Sequence, residues 1–599
     1  MKALISSMIV VGAALAAHQP AVAPEVSGIR YTVTFNSETA QRNALQVEMT
    51  FQSEGQGPVV LSMPAWTPGS YTVRNFARFV REFEATAGGA PIQWDKADFD
   101  SWRVFPSSGD IVTVGFEVQA TELAVGMSWS AEDFAFFNGT TAFLYPEGRG
   151  FDFPATVSVR TEPDWRVATG MSPGAEPGEF AAGNYHDLVD MPFFIGRFDL
   201  DSARVEDRWF RLATYPEEAL AGEERATTWE HIHAMMPPMS AVFDDTPFET
   251  YTILAVFGEE FSGASALEHS NSYLGYFAPL LAGSTTFASI AAHEIFHAWN
   301  VKRLRPEELW PYEYDREQPT TLLWVSEGIT DYYDDLALVR GGIISEAEFY
   351  ASTANKISEV SHLPPVALED ASLSTWVRPT DGTAYIYYPK GSLAGLMLDI
   401  LIRDATDNRS SLDHVMRELY MTEYKNGSGF SEQEWWSVVS RAVGTRLDLD
   451  EFQARYIDGR DAYPWDEVLP LAGIRYVEEE EMLPNIGVMF NAGDEGVHVN
   501  AVIPGASATN AGVREGDTLL RAGEIAADGP DWANQFRARY AEVEEGTPVD
   551  YVVIRNGSEL TLPGQLRFAP RSSHQMEPLP DAVEKAVRIR DGILTGTTD

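Results

Sequence analysis

The 599-residue chain has no cysteine. That absence removes disulfides from the fold, thiolates from any metal site and a lipidated cysteine from the N-terminus. Long apolar runs are missing too, since no segment reaches the ~20 apolar residues of a membrane span. Basic residues are scarce: Lys+Arg 43 stand against Asp+Glu 89, for a formal charge of −46. A surface of that sign repels phosphate backbones, which argues against nucleic acid as a partner. What remains is ordinary for a globular protein, with 44% hydrophobic and 22% charged residues. The length is too great for one hydrophobic core and implies about three or four domains.

Residues 1–17 carry a basic Lys2, an apolar stretch from Ala3 to Val11 and small residues ending at Ala17. This pattern predicts a secretory signal peptide cleaved after Ala16 or Ala17, hence an exported, periplasmic or secreted protein of bacterial type. From 24 to 200, runs such as Tyr31-Thr-Val-Thr-Phe35, Leu45-Gln-Val-Glu-Met49 and Ile111–Phe116 predict a β-rich domain, a sandwich or curved sheet, punctuated by turns such as Thr67-Pro68-Gly69-Ser70. Beyond 222 the pattern turns helical. Glu223–Met236 runs up to Pro237-Pro238, and Tyr251–Phe257 reads as a strand. Leu322–Arg340, Glu346–Val360, Gly391–Ala405, Ser411–Thr422 and Ser431–Val443 read as further helices. Glu478–Glu481 reads as a solvated linker, residues 483–570 as strand-rich, and the chain after Pro570 as a partly disordered tail.

The chemistry concentrates at residues 293–297, His-Glu-Ile-Phe-His. On a helix capped by Ser284 or Thr285, His293 and His297 lie one turn apart on one face and can meet one cation. Glu294 is rotated about 100° from His293, as suits a base that serves water rather than the metal. Glu327, 30 residues after His297, supplies a third ligand and leaves a tetrahedral position open, as catalytic zinc requires. Asp331 falls four residues later on the same face, where it can accept a ring N–H from a ligand histidine. One Zn2+ so placed activates water and polarises a scissile carbonyl, Glu294 moves the proton, and a phenol from Tyr385, Tyr387 or Tyr388 can serve the oxyanion. Cobalt or manganese suits the same ligands.

These residues, with Trp299-Asn300, Lys302-Arg303 and Trp324-Val-Ser-Glu327-Gly328, resemble the glycyl aminopeptidase family of gluzincin metallopeptidases. Trp66-Thr-Pro-Gly-Ser-Tyr71 and Asp187-Leu-Val-Asp190 resemble further signatures of that family. The resemblance implies a multidomain α+β chain with a β-rich N-terminal domain at 24–200 and a thermolysin-like catalytic domain at 201–475. Its helical extension would start near 346, and a PDZ domain at 480–575 would precede a tail at 576–599. It implies His293, His297 and Glu327 as zinc ligands, Glu294 as general base and Tyr388, in Tyr-Pro-Lys-Gly, as oxyanion donor. Glu268, in Ser265-Ala-Leu-Glu-His269, resembles the glutamate that anchors a substrate's free amine. Ser265 and Ala266 stand where the family usually has two glycines, and Pro389 stands where related enzymes carry glutamate. The implied activity is removal of small N-terminal residues, Gly or Ala, from peptides with a free N-terminus.

Asn485-Ile-Gly-Val-Met-Phe490 resembles the carboxylate-binding loop of PDZ domains, so the C-terminal module is read either as a peptide C-terminus binder or as a packing module. Two other readings of the whole chain stand beside the aminopeptidase: a PDZ-assisted zinc endopeptidase and an inactive peptide-binding scaffold. For Lys302, Arg303 and Arg305, substrate contact and helix-end charge pairing fit equally.

Overall fold

Strand Ala44–Glu54 shows why the first 200 residues form sheets. Leu45, Val47, Met49 and Phe51 are buried while the side chains between them face outward, the period of two that a half-buried strand requires. Each such burial contributes roughly 1.5–3 kcal/mol. This strand pairs antiparallel with Glu25–Thr34 and Ile111–Gln119 inside an eight-stranded sheet. Two four-stranded sheets complete the β-rich region, one of them containing Phe134–Asn138 and Pro192–Gly196. The computed structural model describes residues 25–444, 446–493, 496–528 and 531–599, so the leader read at 1–17 lies outside the described residues.

A mixed five-stranded sheet follows, in the order Asp199–Val205, Arg208–Tyr215, Thr250–Phe257, Ser272–Phe277, Ala264–His269. The middle three strands run parallel, and Ala264–His269 lies antiparallel at the edge. Thr250–Phe257 is buried along nearly its whole length, as a central strand covered on both faces should be. Phe134, Phe136 and Phe194 of the β-rich region share one apolar core with Ala213, Leu254 and Leu274 of this sheet. That core fuses the two regions into a unit comprising the residues up to Ile474 together with Pro578–Asp599.

Two local expectations are corrected. The helix Gly222–Phe243 continues through Pro237 and Pro238. Burial of Met235, Met236, Met239, Val242 and Phe243 offsets the ~3 kcal/mol by which proline disfavours a helix interior. The C-terminal residues are ordered as helix Glu584–Thr595. Ile589 and Ile593 are buried, and Arg403 and Arg340 donate to the Thr597 and Ile593 carbonyls.

The second unit is Arg475–Glu577. Its sheet has Val488–Gly493 at one edge, next to Gly496–Val502, around a core that includes Val499, Leu519, Trp532, Phe536, Tyr551 and Leu566. Glu478–Glu481 are solvated as read, but lie in strand Ile474–Pro484, paired with Phe568–Pro578, rather than in a linker. No helix among the described residues is long and apolar enough to cross a membrane.

Candidate active site

Helix Thr285–Phe296 starts at Ser284, whose hydroxyl accepts the Phe287 N–H at 3.2 Å, and ends at the motif, with His297 as its C-cap. The Nε2 atoms of His293 and His297 converge on Glu327 Oε2, at 3.6 and 3.3 Å. The other ring nitrogens are already engaged: His297 Nδ1 donates to the Asn300 carbonyl at 2.7 Å and His293 Nδ1 to Asp334 Oδ2 at 3.1 Å. Those bonds fix the protons on Nδ1 and leave both Nε2 lone pairs free and convergent, the state a metal ligand needs. Two imidazoles and a carboxylate whose donor atoms lie within 4.8 Å of one another fit one zinc ion.

The hydrogen bond read for Asp331 is made instead by Asp334. Asp331 is held 2.6 Å from Lys356 Nζ, a partner on helix Glu346–His362 that spacing along one helix does not reveal. Glu327 itself sits in a single π-turn, Trp324–Gly328, ahead of helix Ile329–Arg340, a distortion common at functional sites. Asn300 ties this turn to the motif, its Nδ2 donating to the Val325 carbonyl at 2.8 Å and to Thr330 Oγ1 at 3.1 Å.

Gly328 and Gly391 let two segments cross in backbone contact, for a Cβ on Gly328 would lie 2.5 Å from the Gly391 Cα. The crossing brings in the start of helix Tyr387–Thr406. Of its tyrosines, Tyr387 is buried with its hydroxyl 2.9 Å from Thr375 Oγ1, and Tyr385 is exposed under Arg378. The Tyr388 ring lies 5.9 Å from that of His293. Burial, reinforced by Glu327, pushes the Tyr388 phenol well above its ordinary value, so it remains a proton donor at neutral pH.

Two buried carboxylates face the same space. Burial pushes Glu294 upward although His293 and His297 oppose it, and its Oε2 has no protein partner. Glu268, on the edge strand, is pushed up to about 7 by burial against the pull of His297 and Lys302, and its Oε1 is likewise unpartnered. Glu268, Glu294 and His297 also lie within 4.8 Å of one another.

Residues 66–71, singled out in the sequence as a signature without a role, prove to be part of this site. Trp66 Nε1 donates to the Glu313 carbonyl at 2.8 Å, and its ring packs edge-on against Trp376. So anchored, the loop lays Gly69, at φ +99°, against Glu268. Any Cβ there would come within 2.4 Å of the carboxylate. Tyr71, at φ 44°, donates its phenol to Glu327 Oε1 at 2.6 Å.

The basic residues after the motif are structural. Arg303 donates to the Ser270, Ala298 and Pro247 carbonyls, and Arg305 stacks on Trp310 and Tyr312. Lys302 is buried 2.6 Å from Asp190, the end of the second sequence signature. Burial alone would discharge Asp190, but Lys302 and His269 hold it well below the usual carboxylate range. Lys302→Met leaves that carboxylate buried without its cation and is expected to lower stability by about 3–5 kcal/mol at pH 7. In the wild type, the stability due to the depressed carboxyl is present above about pH 4 and lost as pH falls through the folded value. In the variant, Asp190 takes up a proton at higher pH. Urea titrations should therefore show the gap widest near neutrality and narrowing toward pH 4.

The fold and its site define a zinc metallopeptidase of the aminopeptidase type. Residues 30–197 match the Peptidase M61 N-terminal domain and residues 286–394 match the M61 glycyl aminopeptidase. Among solved structures, an aminopeptidase N family protein from Idiomarina loihiensis has the same fold, with 24% identity, a TM-score of 0.77, and coverage of 95% of this chain and 100% of that one. An M1 zinc metallopeptidase from Deinococcus radiodurans aligns at 16% identity and a TM-score of 0.47, over 74% of this chain and 96% of its own. No curated protein matches the chain.

Proposed function

We propose that the chain is an exported aminopeptidase that removes small residues, Gly or Ala foremost, from peptides with a free amino end. The observation that carries this reading is Glu268, a buried carboxylate with an unpartnered oxygen beside the catalytic cluster. A buried carboxylate of that kind selects a terminal ammonium, since an internal peptide bond offers no charge to pair. The preference for small residues rests on the match of residues 286–394 to the glycyl aminopeptidase.

His293, His297 and Glu327 would hold a zinc ion, which would supply Lewis acidity to the carbonyl and the attacking water. Glu294 accepts the water's proton and passes it to the leaving amine, and its burial raises its basicity toward what both transfers need. The Tyr388 phenol donates to the oxyanion of the tetrahedral intermediate. Asp334 and the Asn300 carbonyl keep both imidazoles in the liganding tautomer. The unit Arg475–Glu577 is read as a PDZ-type module, supported by the free edge of Val488–Gly493 and by Gly487 at φ +73° ahead of it. In this reading a peptide C-terminus adds to that edge.

Glu268→Ala tests the amine anchor. Losing a charge-assisted contact to the substrate should cost about 10²-fold in kcat/KM on Ala-nitroanilide, with a far smaller loss on N-acetylated peptides. Equal proportional losses on both remove Glu268 from amine recognition, and efficient cleavage of doubly blocked peptides marks an endopeptidase instead.

A further inference from the structure

A cleft of about 300 Å³ opens from the reaction centre, with Gly69, Tyr388 and the strand residues Ser265, Ala266 and Leu267 in its wall. Gly69 lies against Glu268 and the Tyr388 ring lies beside that of His293, so the cleft adjoins the catalytic cluster. Among the described residues the strand Ala264–His269 pairs only with Ser272–Phe277, which leaves its other edge open, and Ser265, Ala266 and Leu267 line the cleft. An extended peptide can add to such an edge. With its amino group at Glu268, its following residues run back past Leu267 and Ala266 toward Ser265, at roughly 3.3 Å per residue.

The charged side chains lining this cleft are Arg74 and Arg378, and among the described residues no carboxylate joins them. In a chain with Asp+Glu 89 and Lys+Arg 43, a cleft wall whose charges are all positive runs against the composition. Both arginines are exposed, and neither forms an ion pair with an acidic side chain among the described residues. Arg378 is aimed rather than loose: its guanidinium donates to Thr72 Oγ1 at 2.6 Å and lies 5.9 Å from the Tyr385 ring centroid.

Building on the aminopeptidase reading, we propose that Arg74 and Arg378 select substrates that carry a carboxylate one or two residues beyond the scissile bond. Two kinds of peptide present that chemistry. One is a peptide of two or three residues, through its own C-terminus; the other is a longer peptide with Asp or Glu near its amino end. Guanidinium forks suit either, because they bind carboxylates in bidentate fashion. The effect is a selectivity among peptides and leaves the chemistry at the metal site untouched.

The test uses the zinc-loaded full chain and the release of free alanine. One arm compares Ala-Ala-Ala with its C-terminal amide, the other Ala-Asp-Ala-amide with the isosteric Ala-Asn-Ala-amide. In at least one arm kcat/KM should favour the carboxylate by about five- to tenfold at low salt, and the ratio should shrink at high salt, as screening requires. The arm that responds identifies the source of the carboxylate. The double variant Arg74→Glu with Arg378→Glu should bring the ratio below one, an inversion that mere structural damage does not produce. Single Arg74→Gln and Arg378→Gln variants should each lower it. Ratios near one in both arms, with the neutral peptides still hydrolysed, overturn the inference and leave the aminopeptidase standing, as does a carboxylate preference unmoved by any of the variants. If no peptide of the series is cleaved, the aminopeptidase reading falls and takes the inference with it.

Discussion

Glu294→Gln is expected to lower kcat by about 10³-fold or more while the protein still binds one zinc per chain. General acid–base catalysis contributes about 10²–10⁴-fold, and glutamine keeps the shape of the side chain while removing its ability to accept a proton. Zinc retention is the discriminating half of the result. Two sets of three groups converge here, His293–His297–Glu327 and Glu268–Glu294–His297. In the first, each imidazole is held by a bond from Nδ1 that leaves Nε2 for a cation. In the second, the carboxylates have unpartnered oxygens suited to water and an ammonium. If Glu294 is the base, metal analysis of the variant by mass spectrometry gives the wild-type stoichiometry. Loss of zinc together with activity makes Glu294 a ligand and reverses its assignment. Full activity with zinc bound assigns the proton to another group, and a wild-type protein that binds zinc yet cleaves no peptide supports the scaffold reading.

The parts of this site that could be read from the sequence are those set by local periodicity. The spacing of His293 and His297 works because both lie on one straight helix whose start, at Ser284, was also visible. Glu327 stood out by its motif, although nothing in the sequence disclosed the π-turn that presents it. Asp334 was missed because a helical face offers several carboxylates, and Lys356, 25 residues beyond Asp331, decides which of them is free. Gly69 and Tyr71 had no readable role, since their contacts with Glu268 and Glu327 span about 200 and 256 residues of chain. Such contacts depend on how the β-rich region packs on the catalytic sheet through Phe134, Phe194 and Leu254, which periodicity does not encode. The same holds for the helix through Pro237-Pro238 and for the C-terminal helix, where burial outweighs local propensity.

Tyr388→Phe is expected to lower kcat by about 10²–10³-fold, the usual cost of removing one oxyanion donor, with KM and zinc affinity little changed. The argument rests on the division of labour between two phenols. The Tyr71 hydroxyl already donates to Glu327 Oε1 at 2.6 Å, so its proton stabilises a metal ligand and is not free for the substrate. Among the described residues Tyr388 makes no such bond to His293, His297 or Glu327; its ring lies beside His293, and burial keeps the phenol protonated. Tyr387 is committed to Thr375, and Tyr385 is exposed in the cleft wall beneath Arg378. Tyr71→Phe should therefore have the opposite signature. It removes a bond that orients Glu327, so its main effect should be weaker zinc retention, read by competition with a chelator, and its kcat at saturating zinc should stay nearer the wild type. Measuring both variants for zinc affinity and for kcat separates the roles. A Tyr388→Phe enzyme with unchanged kcat removes that phenol from the chemistry. A Tyr71→Phe enzyme with normal zinc affinity and a 10²-fold lower kcat transfers the oxyanion role to the N-terminal loop.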